Sequence, residues 1–404
     1  MSNKKNKDSK LQGVSRLITD ATLEITDLVE SMHNRIVHPP FLPSTPIQHL
    51  ITNVAGITYK SIRWSAKLIG GGVDNALGLF ASVSGKIKTT EESEAISSIL
   101  NGVIGDYLEK TENPLEINMQ FRLQSKTLAL KKESLEKAYP TINGKILLMI
   151  HGSCMNDIQW TRKEHNHGSE LAKELHKTPI YLHYNSGLHI STNGKNLNEL
   201  LEQLVLQWPV PVQELVIIAH SMGGLVSRSA VYYGQQEENS WIKHLKKIIF
   251  LGTPHHGATM EQAGNYVDVV LEAVPYAKPF ARLGKVRSAG VTDLRYGNLL
   301  DEDWENIDRF KMNGDQRRSI PLPKKVECYT IAGINSKEVK SDSTKMKLLG
   351  DNMVGIKSAL GEHTNPAKNL NFKKSNIWIA YENNHLDLLS NPKVYHKIKT
   401  WMLL

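Results

Sequence analysis

The feature that most constrains the fold is a series of short apolar segments that alternate with helix-like segments from about residue 140 onward. Each apolar segment has six to eight residues, which is the length of a buried strand rather than of a helix. The segments between them read as helices, near 164–176, 194–208, 222–234 and 384–402. Short apolar strands that alternate with helices predict the α/β class, with a mostly parallel sheet and helices on both of its faces. The predicted strands are 145–150, 179–184, 214–219, 246–251, 326–333 and 376–381.

The first 140 residues have a different pattern. Apolar residues recur at mostly helical spacing over 14–36, and helical stretches follow over about 57–84 and about 91–110. Residues 117–131 alternate apolar and polar, which predicts one or two strands. This part of the chain contains no motif for a known chemistry. It could pack on the α/β core, or contact a membrane through its basic helices.

These patterns divide the chain into two parts. We expect residues 1–115 to form a helical N-terminal extension and residues 116–404 to form the α/β domain. Within that domain, residues 258–320 separate two strands by more than 60 residues, which is too long for a plain connection in a compact domain. We expect this insertion to form helices of its own, either as a mobile lid or as a fixed cap.

Composition excludes several classes of protein. The chain has 404 residues, with no run of 18 apolar residues, and its N-terminus is basic and polar with no apolar segment after it. We therefore expect no transmembrane helix, no secretory signal peptide and a cytoplasmic location, with peripheral membrane contact as an open alternative. Two cysteines are too few for a disulfide framework or a cysteine-rich zinc site. The net charge of +8 is accompanied by no basic and aromatic motif, so we expect no nucleic-acid partner.

The most informative motif is Ala219-His220-Ser221-Met222-Gly223. It follows a buried strand directly and leads into a helix, which is the setting of the nucleophile elbow G-x-S-x-G, here with alanine first. A chance serine in an ordinary strand–turn–helix is the alternative, but five apolar residues before the motif and a helix after it favour the elbow. Ser221 is therefore the predicted nucleophile, and the helix N-terminus behind it favours a developing negative charge.

A second loop supplies the other half of a predicted oxyanion hole. The strand 145–150 ends at His151-Gly152, about 70 residues before the elbow. In enzymes with such an elbow, one oxyanion N–H comes from the residue after the nucleophile and the other from this earlier loop. Met222 is the firmer donor. Ser153 is the preferred second donor and Cys154 its rival.

Five motifs together carry a family resemblance. They are the His-Gly loop, the elbow AHSMGG, LGTPHHG at 251–257, Asp351 in GDNMV and NNHLDLL at 383–389, and they span about residues 140–404. The sequence resembles the serine esterases and lipases of the α/β-hydrolase superfamily, and most of all bacterial lipases and the PGAP1-like (GPI inositol-deacylase-like) branch. The resemblance implies an α/β-hydrolase fold, a carboxylic ester hydrolase and a role in lipid metabolism, with an acyl-ester small molecule or a lipid as substrate.

The base and the acid follow late strands. In this fold the order along the chain is Ser, then Asp or Glu, then His. His385 comes directly after the last predicted strand, where the base belongs, and His363 is a weak rival. Related lipases carry D-G-x-V-P at the acid, which indicates Asp351, although Asn352 stands here for the glycine and Gly355 for the proline. Asparagine tolerates the left-handed conformation of that glycine. Other candidates for the acid remain open, namely Glu338, Asp342 and Asp387.

The loop GTPHHG raises the question of a metal. His255 and His256 are adjacent, and neighbouring side chains rarely bind one ion together. No H-E-x-x-H or C-x-x-C motif accompanies them. Asp387 stands where some bacterial lipases bind calcium, but no second carboxylate completes such a site. We expect no metal and no cofactor.

The motifs are compatible with three functions. The first is a serine hydrolase that cleaves carboxylic esters with Ser221, His385 and Asp351 through an acyl-enzyme. The second is a thioesterase or amidase that uses the same triad, because an elbow does not fix the substrate. The third is a non-catalytic α/β-hydrolase scaffold that binds lipid or protein.

Overall fold

An eight-stranded sheet organises the chain in the computed structural model, which describes residues 90–258, 287–309, 314–337 and 350–404. The spatial order of the strands is β2-β1-β4-β3-β5-β6-β7-β8. Six strands from β3 to β8 run parallel, whereas β1 pairs antiparallel with β2 and with β4. The strands are β1 Gln120–Leu123, β2 Lys126–Thr127, β3 Lys145–Ile150, β4 Thr178–His183, β5 Glu214–His220, β6 Leu245–Leu251, β7 Glu327–Ile334 and β8 Ile377–Tyr381.

Eight α-helices are assigned in the described part of the chain. They are α1 Thr90–Lys110, α2 Lys132–Ala138, α3 His167–Glu174, α4 Ile190–Gln207, α5 Met222–Gln236, α6 Ala289–Asp293, α7 Ile356–Ala359 and α8 Pro392–Leu403. Short 3₁₀ turns lie at 158–160, 240–243, 301–303, 366–368, 374–376 and 387–389. No described helix combines the length and the apolar composition needed to cross a lipid bilayer.

Both faces of the sheet are covered by helices. Successive side chains of a strand point to opposite faces. On one face, Met149 of β3 packs in a buried cluster with α3 and with Ile398 and Trp401 of α8. On the other face, α5 lies so close to the end of β3 that a methyl group on Gly223 would approach the carbonyl oxygen of Ile150 to 2.7 Å. The predicted α/β fold with a mostly parallel sheet is confirmed.

The six apolar segments predicted as strands form strands within one or two residues of the predicted bounds. Residues 117–131 contain two further short strands. The last helix begins later than the sequence predicts. The sequence predicts a helix over 384–402, but α8 begins only at Pro392, where Asn391 accepts a hydrogen bond from the Lys393 amide at 2.8 Å. Proline at the first helical position and an asparagine cap fix this start, and a 3₁₀ turn occupies 387–389 instead.

The N-terminal part is described only in its last portion. Residues 93–110 belong to the same compact unit as residues 116–404. The helices predicted over 14–36 and 57–84 lie outside the described residues, as does most of the insertion 258–320, so the division at residue 115 and the lid stay predictions.

Candidate active site

Ser221 occupies a sharp turn between β5 and α5. Its backbone has φ 54° and ψ −126°, with φ in the left-handed region, which is costly for a residue with a side chain. The turn is held on both sides, because the Ser221 amide donates to the Leu251 carbonyl of the neighbouring strand at 2.8 Å and the Gly224 amide donates to the Ser221 carbonyl at 3.0 Å. The strained turn predicted for a nucleophile elbow is therefore present at this residue.

Glycines allow the backbones around Ser221 to approach closely. A methyl group on Gly223 would lie 2.5 Å from the His151 carbonyl oxygen, and one on Gly152 would lie 3.0 Å from Cβ of Ser221. The first distance is too short for a real Cβ atom and the second would force the neighbouring atom to shift, so the two glycines allow the loop after β3 to lie against the elbow. The elbow and the predicted oxyanion loop are thus in direct contact.

Asp351 and His385 form a buried pair. Oδ2 of Asp351 lies 2.6 Å from Nδ1 of His385, and the His385 amide donates to the Asp351 carbonyl at 3.0 Å. The other carboxylate oxygen accepts the amides of Met353 at 3.1 Å and Val354 at 2.9 Å. A carboxylate can only accept, so Nδ1 of His385 carries the proton of this bond. Nε2 of His385 is buried without a hydrogen-bond partner among the described residues.

The turn after Asp351 explains how an acid so far beyond β7 returns to the sheet. Asn352 has φ 79°, which is the left-handed conformation that we expect asparagine to supply in place of glycine. Gly350 and Gly355 then form a backbone bridge. As a result Asp351 packs beside the end of β7, where a methyl group on Gly333 would lie 2.9 Å from its Cβ.

The elbow and the buried pair meet at the end of β6. The carbonyl of Leu251 accepts the Ser221 amide. The next residue, Gly252, lies against Asp351 and His385. A methyl group on Gly252 would lie 3.1 Å from both Oδ2 of Asp351 and Cε1 of His385. Ser221, Asp351 and His385 therefore lie around one point at the carboxyl edge of the sheet, where ligand sites of parallel sheets occur.

His220 is a site residue that our sequence reasoning did not assign. Its Nε2 lies 3.1 Å from the carbonyl oxygen of His385. A carbonyl only accepts, so Nε2 of His220 carries the proton. Burial, together with the charge of His385, lowers the pKa of His220 well below its usual value, so the ring is neutral. Its position directly before Ser221 was the available signal, but the partner lies 165 residues away in the chain.

The two rival oxyanion donors have different surroundings. The Cys154 amide already donates to Oγ of Ser186 at 3.0 Å, so it is engaged within the protein. Ser153 is buried, and its Oγ lies 3.7 Å from Sγ of Cys154. Burial raises the pKa of Cys154 to about 11, which keeps the thiol protonated and disfavours it as a nucleophile. Ser153 and Met222 remain the predicted oxyanion donors.

The described rivals for the acid and the base have other partners. Asp387 forms an ion pair with Lys163 at 3.3 Å. His363 lies 3.3 Å from Asp315. The remaining candidates for the acid, Glu338 and Asp342, lie outside the described residues.

The histidines of the 251–257 loop contact arginines. Nδ1 of His255 lies 3.4 Å from Arg228, and Nδ1 of His256 lies 2.7 Å from Arg317. Burial, with Arg317 as the second cause, lowers the pKa of His256 to about 3. In the part of the chain that the structure describes, no group of three or more His, Cys, Asp or Glu side chains is arranged to hold a metal ion.

The chain is similar to proteins of known family and structure. A model of the PGAP1-like alpha/beta domain matches residues 141–362, and no curated protein matches the chain. Similar solved structures include the mature lipase BlEst2 of Bacillus licheniformis, 17% identical with a TM-score of 0.41, covering 66% of this chain and 93% of that one. Others are the esterase Pf2001 of Pyrococcus furiosus (13%, TM-score 0.34, 64% and 83%) and the phospholipase PlaB of Legionella pneumophila (13%, TM-score 0.36, 53% and 45%). The family match includes Ser221 and Asp351 and ends before His385.

Proposed function

We propose that this chain, which belongs to the PGAP1-like alpha/beta domain family, is a serine hydrolase. It cleaves carboxylic esters. Family membership confirms the PGAP1-like resemblance that the sequence motifs carry. The choice of reaction and substrate is our inference from the site.

One observation carries the proposal. The 2.6 Å bond between Asp351 and His385 is buried beside the strained turn of Ser221. A buried carboxylate that fixes the protonated Nδ1 of a histidine leaves Nε2 as a proton acceptor, which is what an attacking serine requires. A failure of Asp351 to reach His385 would have favoured a non-catalytic scaffold, and the 2.6 Å contact removes that support.

The proposed reaction has two halves. Oγ of Ser221 attacks the acyl carbonyl while Nε2 of His385 takes its proton, and the amides of Met222 and Ser153 bind the oxyanion. The C–O bond to the alcohol then breaks, His385 gives its proton to that oxygen, and an acyl-enzyme remains. Water attacks the acyl-enzyme with His385 again as base, and the carboxylic acid leaves as Ser221 regains its proton. Asp351 orients His385 and stabilises its charged form throughout.

The substrate class follows from the same resemblance and from the sequence of the insertion. Apolar residues of 266–274 are suited to cover an acyl chain. We therefore propose an acyl-ester small molecule or a lipid as substrate, reached through peripheral membrane contact when it is a lipid.

The first experiment is covalent labelling with a fluorophosphonate probe, which reacts with an activated serine. Wild type is compared with Ser221→Ala and with Ser169→Ala, an exposed serine outside the site. We expect labelling of wild type and S169A and none of S221A. Folded wild type that stays unlabelled, also in the presence of detergent or lipid, would favour the non-catalytic scaffold.

Ester, thioester and amide substrates with matched acyl groups then separate the remaining candidates. Fastest turnover of the ester series supports the proposal. Fastest turnover of the thioester or amide series would replace it by the corresponding reaction on the same triad.

A further inference from the structure

A second group of charged side chains surrounds a small cavity away from the serine. The cavity opens to solvent and has a volume of about 10 Å³, which is the space that one water molecule or one oxygen atom of a ligand occupies. We call it the cationic cavity. Its charged or titratable lining side chains are Arg228, His256, Arg317, Arg318 and Lys368.

Arg228 is the buried cation among the side chains that line the cationic cavity. It is 5% exposed. Its NH2 donates to the Ile320 carbonyl at 2.6 Å, and NH1 lies 3.4 Å from Nδ1 of His255. Nε of Arg228 is buried with no partner among the described residues, and no described carboxylate forms an ion pair with this guanidinium. Buried charges in proteins are normally paired, but among the described residues this arginine has no carboxylate in direct contact.

The other cations that line the cavity have partners of their own. Asp315 contacts Arg317 at 3.1 Å and also Lys368 at 2.9 Å, so two cations share one carboxylate. Arg318 is exposed and contacts the hydroxyl and the ring of Tyr232. Burial, followed by the charge of Arg317, lowers the pKa of Arg228 to about 9, which still leaves it charged at neutral pH. The cationic cavity thus holds a local excess of positive charge.

Asp303 does not neutralise the excess by direct contact. Its Oδ2 accepts the amides of Leu299 at 2.8 Å and Leu300 at 3.0 Å, and its Oδ1 accepts the amide of Arg318. These bonds fix the carboxylate as a cap for the backbone rather than as the partner of a guanidinium.

We propose that the cationic cavity binds a phosphate group, with one oxygen inside the cavity against Arg228 and the remaining oxygens at its mouth beside Arg318 and Lys368. Guanidinium and ammonium groups are donors that phosphate prefers, and three guanidinium groups and one ammonium group line this cavity. The small volume fits one oxygen and not a whole phosphate, whereas the opening leaves room for the rest. The group comes either from free phosphate or from the head group of a lipid.

The position of the cavity links it to the loop beside Ser221. Arg228 is seven residues along α5 from Ser221, or about 10 Å at the rise of a helix. His256 follows Gly252 by four residues, and Gly252 adjoins Asp351 and His385. A phosphate group held there would fix the 251–257 loop against α5, and it would do so whether or not the chain hydrolyses esters.

The test measures thermal unfolding of the full chain in inorganic phosphate, at an ionic strength kept constant with sodium chloride. We expect a saturable rise in Tm of about 2 °C at ten times the Kd. The variant Arg318→Gln/Lys368→Gln changes two side chains at the mouth and should abolish the rise. The matched control Lys243→Gln/Lys246→Gln removes the same charge at two exposed positions near the start of β6, the end away from the 251–257 loop. This control should keep the rise in Tm.

A second variant addresses the buried arginine. Arg228→Met removes the unpaired charge without leaving a polar group, which proteins often tolerate, and it should also abolish the response to phosphate. If this variant does not fold, the mouth variant alone decides. No saturable rise in wild type together with no vesicle binding, or an equal rise in the mouth variant and its control, would overturn the proposal.

Vesicle binding distinguishes the two sources of phosphate. We expect wild type to sediment with phosphatidylcholine vesicles that contain phosphatidic acid, and the mouth variant to bind them less, if the group belongs to a lipid. If only inorganic phosphate raises Tm and the vesicles bind wild type and the mouth variant equally, the ligand is free phosphate.

Discussion

Replacing Asp351 by asparagine tests the proposed triad with little change in packing. In Asp351→Asn the amide oxygen can still accept the Met353 and Val354 amides, which bond to Oδ1 at 3.1 and 2.9 Å. The amide nitrogen then faces Nδ1 of His385 and donates to it, whereas the carboxylate accepts from it at 2.6 Å. His385 is thereby forced into the tautomer with its proton on Nε2, which cannot take the proton of Ser221.

The expected magnitude is large for catalysis and small for stability. Loss of the correct tautomer in such a triad lowers kcat by about 10⁴, which corresponds to about 5 kcal/mol in the activation barrier. Replacing one charge-assisted hydrogen bond by a neutral one costs about 1–2 kcal/mol of stability. Ester hydrolysis and the rate of fluorophosphonate labelling measure the first effect, and urea unfolding measures the second.

The matched control is Asp387→Asn. Asp387 lies two residues from His385 but bonds to Lys163 and to the backbone of Asn384 instead. The Asp387→Asn variant should retain activity within a few-fold of wild type. If D351N labels and turns over within threefold of wild type, or if D387N is the variant that loses 10⁴, the assignment of the acid is wrong.

Three further predictions address the surroundings of the site. His220→Phe removes the donor to the His385 carbonyl and should lower kcat about 10- to 100-fold with KM unchanged, because a buried hydrogen bond of about 1–3 kcal/mol is lost. His220→Gln should restore part of the rate. Equal rates for wild type and H220F would contradict this role. Gly224→Ala should lower the free energy of unfolding by about 1–3 kcal/mol, because its methyl group would lie 2.0 Å from Oγ1 of Thr253; unchanged chemical denaturation would refute the contact. Burial lowers the pKa of His167 to about 3, so its contribution to stability is complete above pH 6.5 and falls by up to about 1.4 kcal/mol per pH unit as pH drops toward 3. Urea unfolding at pH 7 and pH 5 should show a smaller difference for His167→Asn than for wild type, and an equal difference would exclude this histidine as the cause.

The sequence alone determined the parts of the protein that depend on local pattern. Strands β3 to β8 were predicted within one or two residues, because each is a short run in which apolar residues predominate, although β8, at the edge of the sheet, is only partly buried. The elbow at Ser221 was predicted because a strand, a strained turn and a helix follow one another within a few residues. The left-handed Asn352 was predicted from the residue type that its turn requires.

Only the tertiary structure decided which distant residues meet. Asp351 and His385 are 34 residues apart in the sequence, and several carboxylates were acceptable candidates until the structure brought this one to the imidazole. The partner of His220 and the arginines around the cationic cavity had no sequence signal, because these groups come from three separate segments that meet only in the folded chain. The spacing of apolar residues in the sequence indicates which face of a helix or strand is buried. It does not indicate which residues lie opposite that face, and the hydrogen bonds of buried side chains depend on those residues.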